Sequence, residues 1–146
     1  MKKFFGIFIF VILITAFISP ALCQEKLWDD LQEKAITLYQ QKQHKEAVET
    51  EKKALMVAEE TFGPNDLRTA ESLDNLAIYY QALDNYKEAE GLYRRALAIM
   101  EKNLSPYDHY LAIFMDYLSD FYAKVGNNIE AERLRNRAKA IRGKRI

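Results

Sequence analysis

Cysteine occurs once in this chain of 146 residues, at Cys23, which excludes an internal disulfide framework and any metal site built on several cysteines. Net charge is also lacking: 21 Lys and Arg stand against 21 Asp and Glu, which argues against bulk electrostatic binding to nucleic acid. Glycine is sparse, and Gly63, Gly91 and Gly126 are isolated, so no phosphate-cradling loop exists. The two histidines, His44 and His109, have no second His or Cys at ligand spacing and read as solvated turn residues. No serine stands in a nucleophile arrangement with either of them. Asp116 and Asp120, four residues apart, are the one carboxylate pair of acid–base type, and they read more simply as a hydrated acidic surface. No enzyme is expected, and no cofactor.

What is present is a period. Shifting the chain by about 42 residues lays Leu31 on Leu73, Ala35 on Ala77, Lys45-Glu46-Ala47 on Lys87-Glu88-Ala89, Pro64 on Pro106 and Asp66 on Asp108. A second shift lays Leu76 on Leu118, Tyr80 on Tyr122, Ala89 on Ala131 and Ala96 on Ala138, again without gaps. Within a repeat, apolar and small residues recur at i, i+3, i+4 and i+7, as at Leu73, Leu76, Ala77 and Tyr80, and each half therefore reads as an amphipathic helix. A single hairpin of two such helices leaves its outer apolar faces wet, so the repeats must stack.

The periodicity predicts an all-α chain of three antiparallel hairpins. The first helix follows a polar lead-in at Gln24–Lys26 and runs from Trp28 to about Gln41. The second runs from about Lys45 to Phe62, stopped by Gly63-Pro64; the third is capped by Asn65 or Asp66 and runs to about Leu83. The fourth spans Tyr86–Asn103, closed by Ser105-Pro106. The fifth starts at Asp108, with Tyr110, Phe114, Leu118, Phe121 and Tyr122 for packing, and the sixth covers Ile129–Arg142. Gly91 interrupts the fourth helix at a cost of about 1 kcal/mol against Ala, which a close approach of the next repeat would explain. The first and last repeats are more polar than the middle one, with Lys34 and Glu51 at one end and Arg135 at the other, as the ends of a complete short array would be.

Ahead of the repeats, Lys2-Lys3, an apolar run from Phe4 to Ile18 and Ser19-Pro20-Ala21-Leu22-Cys23 form an export signal. Cleavage after Cys23 leaves a repeat domain over 24–146, with repeats near 28–69, 70–111 and 112–145. The chain is then exported, periplasmic or secreted. A lipoprotein signal would want a small residue where Leu22 stands. An uncleaved anchor would tether the domain to a membrane, facing outward, since Phe4–Cys23 approaches spanning length.

Leu73, Leu76-Ala77, Tyr80, Ala89, Tyr93 and Ala96 resemble the helix A and helix B signature of the tetratricopeptide repeat family. The long period, the string Tyr86-Lys87-Glu88-Ala89-Glu90 and the run Arg95-Ala96-Leu97-Ala98-Ile99 are similar to its kinesin-light-chain subtype. The resemblance implies a right-handed superhelical solenoid whose first helices line a concave groove for a peptide or partner helix. On that register the groove residues are Asp29, Gln32, Glu33, Ile36 and Tyr39, then Glu71, Asp74, Asn75, Ile78 and Gln81, then Ile113, Asp116, Tyr117, Asp120 and Lys124. The family's carboxylate clamp needs several Lys, Arg and Asn here, and only Asn75 and Lys124 suit it. Acidic residues dominate, so the expected partner is a protein or peptide with basic and apolar residues. Nucleic acid is not expected, and a membrane only if residues 1–23 are retained. A crowd of Arg and Lys from Arg133 to Arg145 offers a second, electrostatic surface. The alternative function is structural: a membrane-tethered or self-associating element of an envelope assembly.

Overall fold

The computed structural model describes residues 22–143, and the export segment lies outside them except for Leu22 and Cys23. Among the described residues there are six helices and no strand: α1 over 22–40, α2 His44–Thr61, α3 Leu67–Ala82, α4 Tyr86–Asn103, α5 His109–Lys124 and α6 Asn128–Gly143. They stack as a tetratricopeptide-like solenoid. None of the described helices is long and apolar enough to cross a membrane. Residues 24–26, expected to be a lead-in, are helical, because their polar side chains are all exposed and nothing there breaks the helix.

The 42-residue period reappears in the backbone. Lys42, Asp84 and Gly126 occupy the same left-handed position, with φ of 61°, 59° and 84°. The next residue closes each turn by donating its N–H to a carbonyl five residues back: Gln43 to Leu38 at 2.9 Å, Asn85 to Tyr80 at 3.0 Å and Asn127 to Tyr122 at 2.8 Å. Glycine adopts this conformation freely, whereas Lys42 pays roughly 1–2 kcal/mol for it. The helix starts repeat as well. Asp66 is the cap of α3, accepting from Arg68 N at 2.9 Å, and Asp108 caps α5 through Tyr110 N at 2.8 Å. On the surface, Glu59–Arg95 at 2.5 Å and Glu101–Arg137 at 2.6 Å are the same ion pair one repeat apart.

Fully enclosed alanines mark the helix crossings: Ala35 and Ala47, Ala77 and Ala89, Ala96, Ala112, Ala131 and Ala138. Larger side chains fill the space beside them. One continuous cluster joins the second and third hairpins, from Leu73 through Tyr93 to Phe114, Leu118, Phe121 and Leu134. Tyr93 lies at its centre, 5.0 Å from the Phe121 ring and 6.4 Å from Phe114. These rings hold α4 and α5 apart, and α2 and α3 approach one another over more of their length.

The junction of the first two hairpins is built differently. Its apolar core is split in two, Ala35–Ala47–Val48–Leu76–Tyr79 and Trp28–Ala54–Ala58, with Gln32, Glu51, Thr69 and Ser72 buried nearby. Ser72 Oγ accepts from Trp28 Nε1 and from Gln32 Nε2, both at 2.9 Å. Glu51, one period before Tyr93, is wholly enclosed, and neither of its carboxyl oxygens has a partner at hydrogen-bonding distance. Burial pushes its carboxyl up to about 8; the neighbouring Ser72 hydroxyl offsets part of that rise, and the charge of Glu71 adds to it.

Four other expectations change. Tyr110, read as a packing residue, is 73% exposed, because it shares the outer side of α5 with exposed Ile113 and Tyr117, three and seven residues on. His44 is half-buried rather than solvated, its ring 5.1 Å from Tyr39 with Nδ1 enclosed and unpartnered, whereas His109 is exposed. A Cβ at Gly91 would meet no atom within 4 Å, so no close approach accounts for that glycine. The arginines of α6 are largely engaged in ion pairs.

Candidate partner-binding face

Helices α1, α3 and α5 are the first helices of the three hairpins, and hydrogen bonds from Trp28 and Gln32 to Ser72 and from Asn75 to Gln32 join α1 to α3. On α3, Leu73, Leu76 and Ala77 turn into the core, so Glu71, Asp74, Asn75 and Ile78 flank the outer side of the same helix. The structure sorts the groove residues named above into two groups. One is spent on contacts with other helices. Gln32 is buried and accepts from Asn75 Nδ2 at 2.9 Å, so Asn75 has little left for a peptide backbone. Tyr39 stacks on Tyr79 at 4.9 Å. Gln81 Oε1 accepts from the Tyr93 hydroxyl at 3.2 Å, and Lys124 Nζ sits 5.4 Å over the Tyr86 ring.

Asp116 and Asp120 are paired within the third hairpin, Asp120 while staying 81% exposed. Arg142 of α6 pairs with Asp116, and Arg135 lies 3.6 Å from Asp120. Arg133 pairs with Glu130 and Arg137 with Glu101. The sequence showed carboxylates and arginines as separate acidic and basic surfaces. The antiparallel packing of α5 on α6 brings them together, which spacing along one helix does not reveal.

The other group remains outward. Asp29, Glu33 and Glu71 are exposed, Asp74 and Ile78 are half-buried, and Ile36, Ile113 and Tyr117 are 41%, 49% and 41% exposed. Tyr110 extends the apolar part along α5. Among the described residues no lysine or arginine forms a salt bridge with Asp29, Glu71 or Asp74. Desolvation, then the Asp29 charge, raises the Glu71 carboxyl above its ordinary value. Desolvation, then Glu71, pushes Asp74 up to about 6, and its Oδ1 is enclosed with no hydrogen-bond partner. Such carboxylates lack compensation, and an incoming cation supplies it. The sequence showed Asp74 as acidic, but not that its oxygen is enclosed.

No group of three or more His, Cys, Asp or Glu among the described residues can hold a metal ion. Tyr117 joins the carboxylates to the apolar strip: its hydroxyl is 3.5 Å from that of Tyr93, whose own titration is shifted upward chiefly by burial and in part by Asp74.

Comparison with known proteins agrees with this architecture. The family model for the tetratricopeptide repeat matches residues 30–102. No curated protein matches the sequence. Among solved structures, BtubC (BKLC) from P. vanneervenii superposes with a TM-score of 0.72 at 25% identity, covering 80% of this chain and 46% of that one. A putative kinesin light chain from Podosopora anserina, with nearly identical TPR-like repeats, gives 0.71 at 26% identity over 81% of this chain and 56% of its own. This chain therefore spans about half the length of those two. The TPR domain of Arabidopsis FLU, at 18% identity and a TM-score of 0.68, is matched over 95% of its length and shows likeness of fold alone. By its period, its hairpin geometry and these matches, the chain belongs to the tetratricopeptide repeat family, with repeats of the kinesin-light-chain kind.

Proposed function

We propose that the protein is an exported, non-catalytic interaction module that docks a segment of another protein on the face shared by α1, α3 and α5. The observation that carries this reading is the combination of carboxylates that no cation compensates, Glu71 and Asp74, with exposed Ile36, Ile113 and Tyr117 on the first helices of the hairpins. An exposed apolar side chain on a solenoid's packed face gains from being covered, at roughly 25 cal/mol per Å². Export follows from the charged and apolar pattern of residues 1–23. Processing after Cys23 removes only exposed described residues, since the first buried side chain of α1 is Trp28.

The test is hydrogen exchange on the full-length protein with peptides recovered from a random display library. Protection on α1, α3 and α5 is expected. Protection confined to α2, α4 and α6, or recovery of no peptide, would place the contact elsewhere. N-terminal sequencing of the purified protein tests export: Gln24 is expected as the first residue, and an intact Met1 would favour the tethered structural role.

A further inference from the structure

The second and third hairpins share one continuous core around Tyr93. The buried side chains of the first hairpin instead form two smaller clusters. Trp28, Ala54 and Ala58 pack within the hairpin, and Ala35, Ala47 and Val48 meet Leu76 and Tyr79 of α3. Much of the remaining seam is polar: Trp28 and Gln32 bond to Ser72, Asn75 bonds to Gln32, and Arg68 reaches Glu25 at 3.4 Å. Glu51 of α2 is sealed into this seam with no partner for either carboxyl oxygen.

Nothing packed around Glu51 favours its charge. On α3, Glu71 has the same sign, and Tyr79 has its hydroxyl shifted upward by burial and then by Glu51. On α1, Asp29 acts on Glu71 and Tyr39 acts on Tyr79. The neighbouring cations are already engaged: Arg68 by Asp66, Lys52 by Glu49, and Arg95 of α4 by Glu59.

We propose that this seam is a proton-operated joint: protonated Glu51 lets the first hairpin sit on α3, and ionised Glu51 lifts that hairpin away while the other two stay packed. An enclosed carboxylate without a counter-charge is strongly disfavoured, and opening the weakest nearby interface brings water to it. The polar bonds of the seam are then exchanged for bonds to solvent at small net loss. Repeats couple only to their neighbours, so one interface is lost without the next. Tyr93 stands in the same place at the second junction, and its hydroxyl keeps its proton well above neutral pH.

Trp28 is the single tryptophan, and its indole N–H crosses the seam to Ser72. Hydrogen exchange of that indole in the full-length protein, followed by NMR and corrected for the intrinsic rate, reads the opening. The closed seam holds the Glu51 proton up to about pH 8, whereas an open one releases it near the ordinary 4.5. Exchange is therefore expected to quicken about fivefold from pH 7 to pH 8 and to level off above, beyond the range where Asp74 titrates, near 6. Amides of α5 around Leu118 should keep their protection, since they belong to the core of the other two hairpins. In Glu51→Gln and Glu51→Met, which lack the ionisable group, the acceleration should disappear. A parent indole that does not accelerate, or an acceleration that persists in either variant, would overturn the joint. Loss of protection at Leu118 in step with Trp28 would overturn it too, because the whole molecule would then be unfolding.

Discussion

Glu51 is the residue at which this fold departs furthest from its own pattern. Tyr93, one period later, fills the same place with a ring and sends its hydroxyl to Gln81 and Tyr117. Glu51 fills it with a carboxyl that burial holds protonated up to about pH 8. The folded protein therefore keeps a proton that the unfolded chain releases above its ordinary value of 4.5. Stability contributed by this group is intact below that value, declines as pH rises through the interval, and levels off above about 8. Asp74, raised to about 6, adds to the lower part of the same slope. At roughly 1.4 kcal/mol per pKa unit, the loss is on the order of a few kcal/mol. Glu51→Gln mimics the protonated form, so denaturant unfolding at pH 5 and pH 8 should show a smaller difference for the variant than for the parent. An equal slope in both would mean that Glu51 ionises freely in the folded state.

The individual helices are held by small residues where they cross. Ala77 and Ala96 have no solvent exposure and belong to the large cluster around Tyr93. Leucine at either site adds bulk to a close-packed crossing, which typically costs about 1–3 kcal/mol. Gly91 supplies the contrast within α4. Its missing Cβ would point into open space, so Gly91→Ala should raise stability by about 1 kcal/mol through helix propensity alone. Thermal unfolding of the three variants checks both expectations. A rise for Ala96→Leu or a fall for Gly91→Ala would show that the faces of α4 are assigned wrongly.

Across the whole molecule, charge balance is local as well as global. Lys and Arg equal Asp and Glu in number, and Arg133, Arg135, Arg137 and Arg142 each have a carboxylate partner. The positive surface suggested by the sequence of α6 is therefore largely cancelled by Asp116, Asp120, Glu101 and Glu130. Attraction of basic residues to an anionic bilayer is worth about 1 kcal/mol per free charge. Paired arginines forfeit most of that, so co-sedimentation with phosphatidylserine vesicles at low salt should be the same for the parent and for a variant with these four arginines changed to Gln. Vesicle binding that disappears in the variant would show that the pairs open toward lipid. The net negative charge is left on α1 and α3, where Glu71 and Asp74 have no such partner and Asp29 has only Arg68, beyond salt-bridge distance.

The sequence by itself determined the repeat, the helices and most of the helix boundaries. A 42-residue period with apolar positions at helical intervals admits no other arrangement than stacked hairpins, because each amphipathic face needs a neighbour to cover it. Gly63-Pro64, Asp66, Asp108 and Gly126-Asn127 marked helix boundaries through backbone chemistry that acts within a few residues, and Tyr86–Asn103 was readable to the residue. Only the tertiary structure decided which side chains of the shared face are free. Asp116 and Asp120 look as available in sequence as Glu71 and Asp74. The first pair meets arginines that come from 26 and 15 residues further along the chain, across a helix packing, and the second pair meets none. Gln32 and Asn75 likewise look like groove residues until their hydrogen bond, 43 residues apart in sequence, closes the seam between α1 and α3. Periodicity reports which way a side chain leaves its own helix. Whether another helix has already answered it is a property of packing.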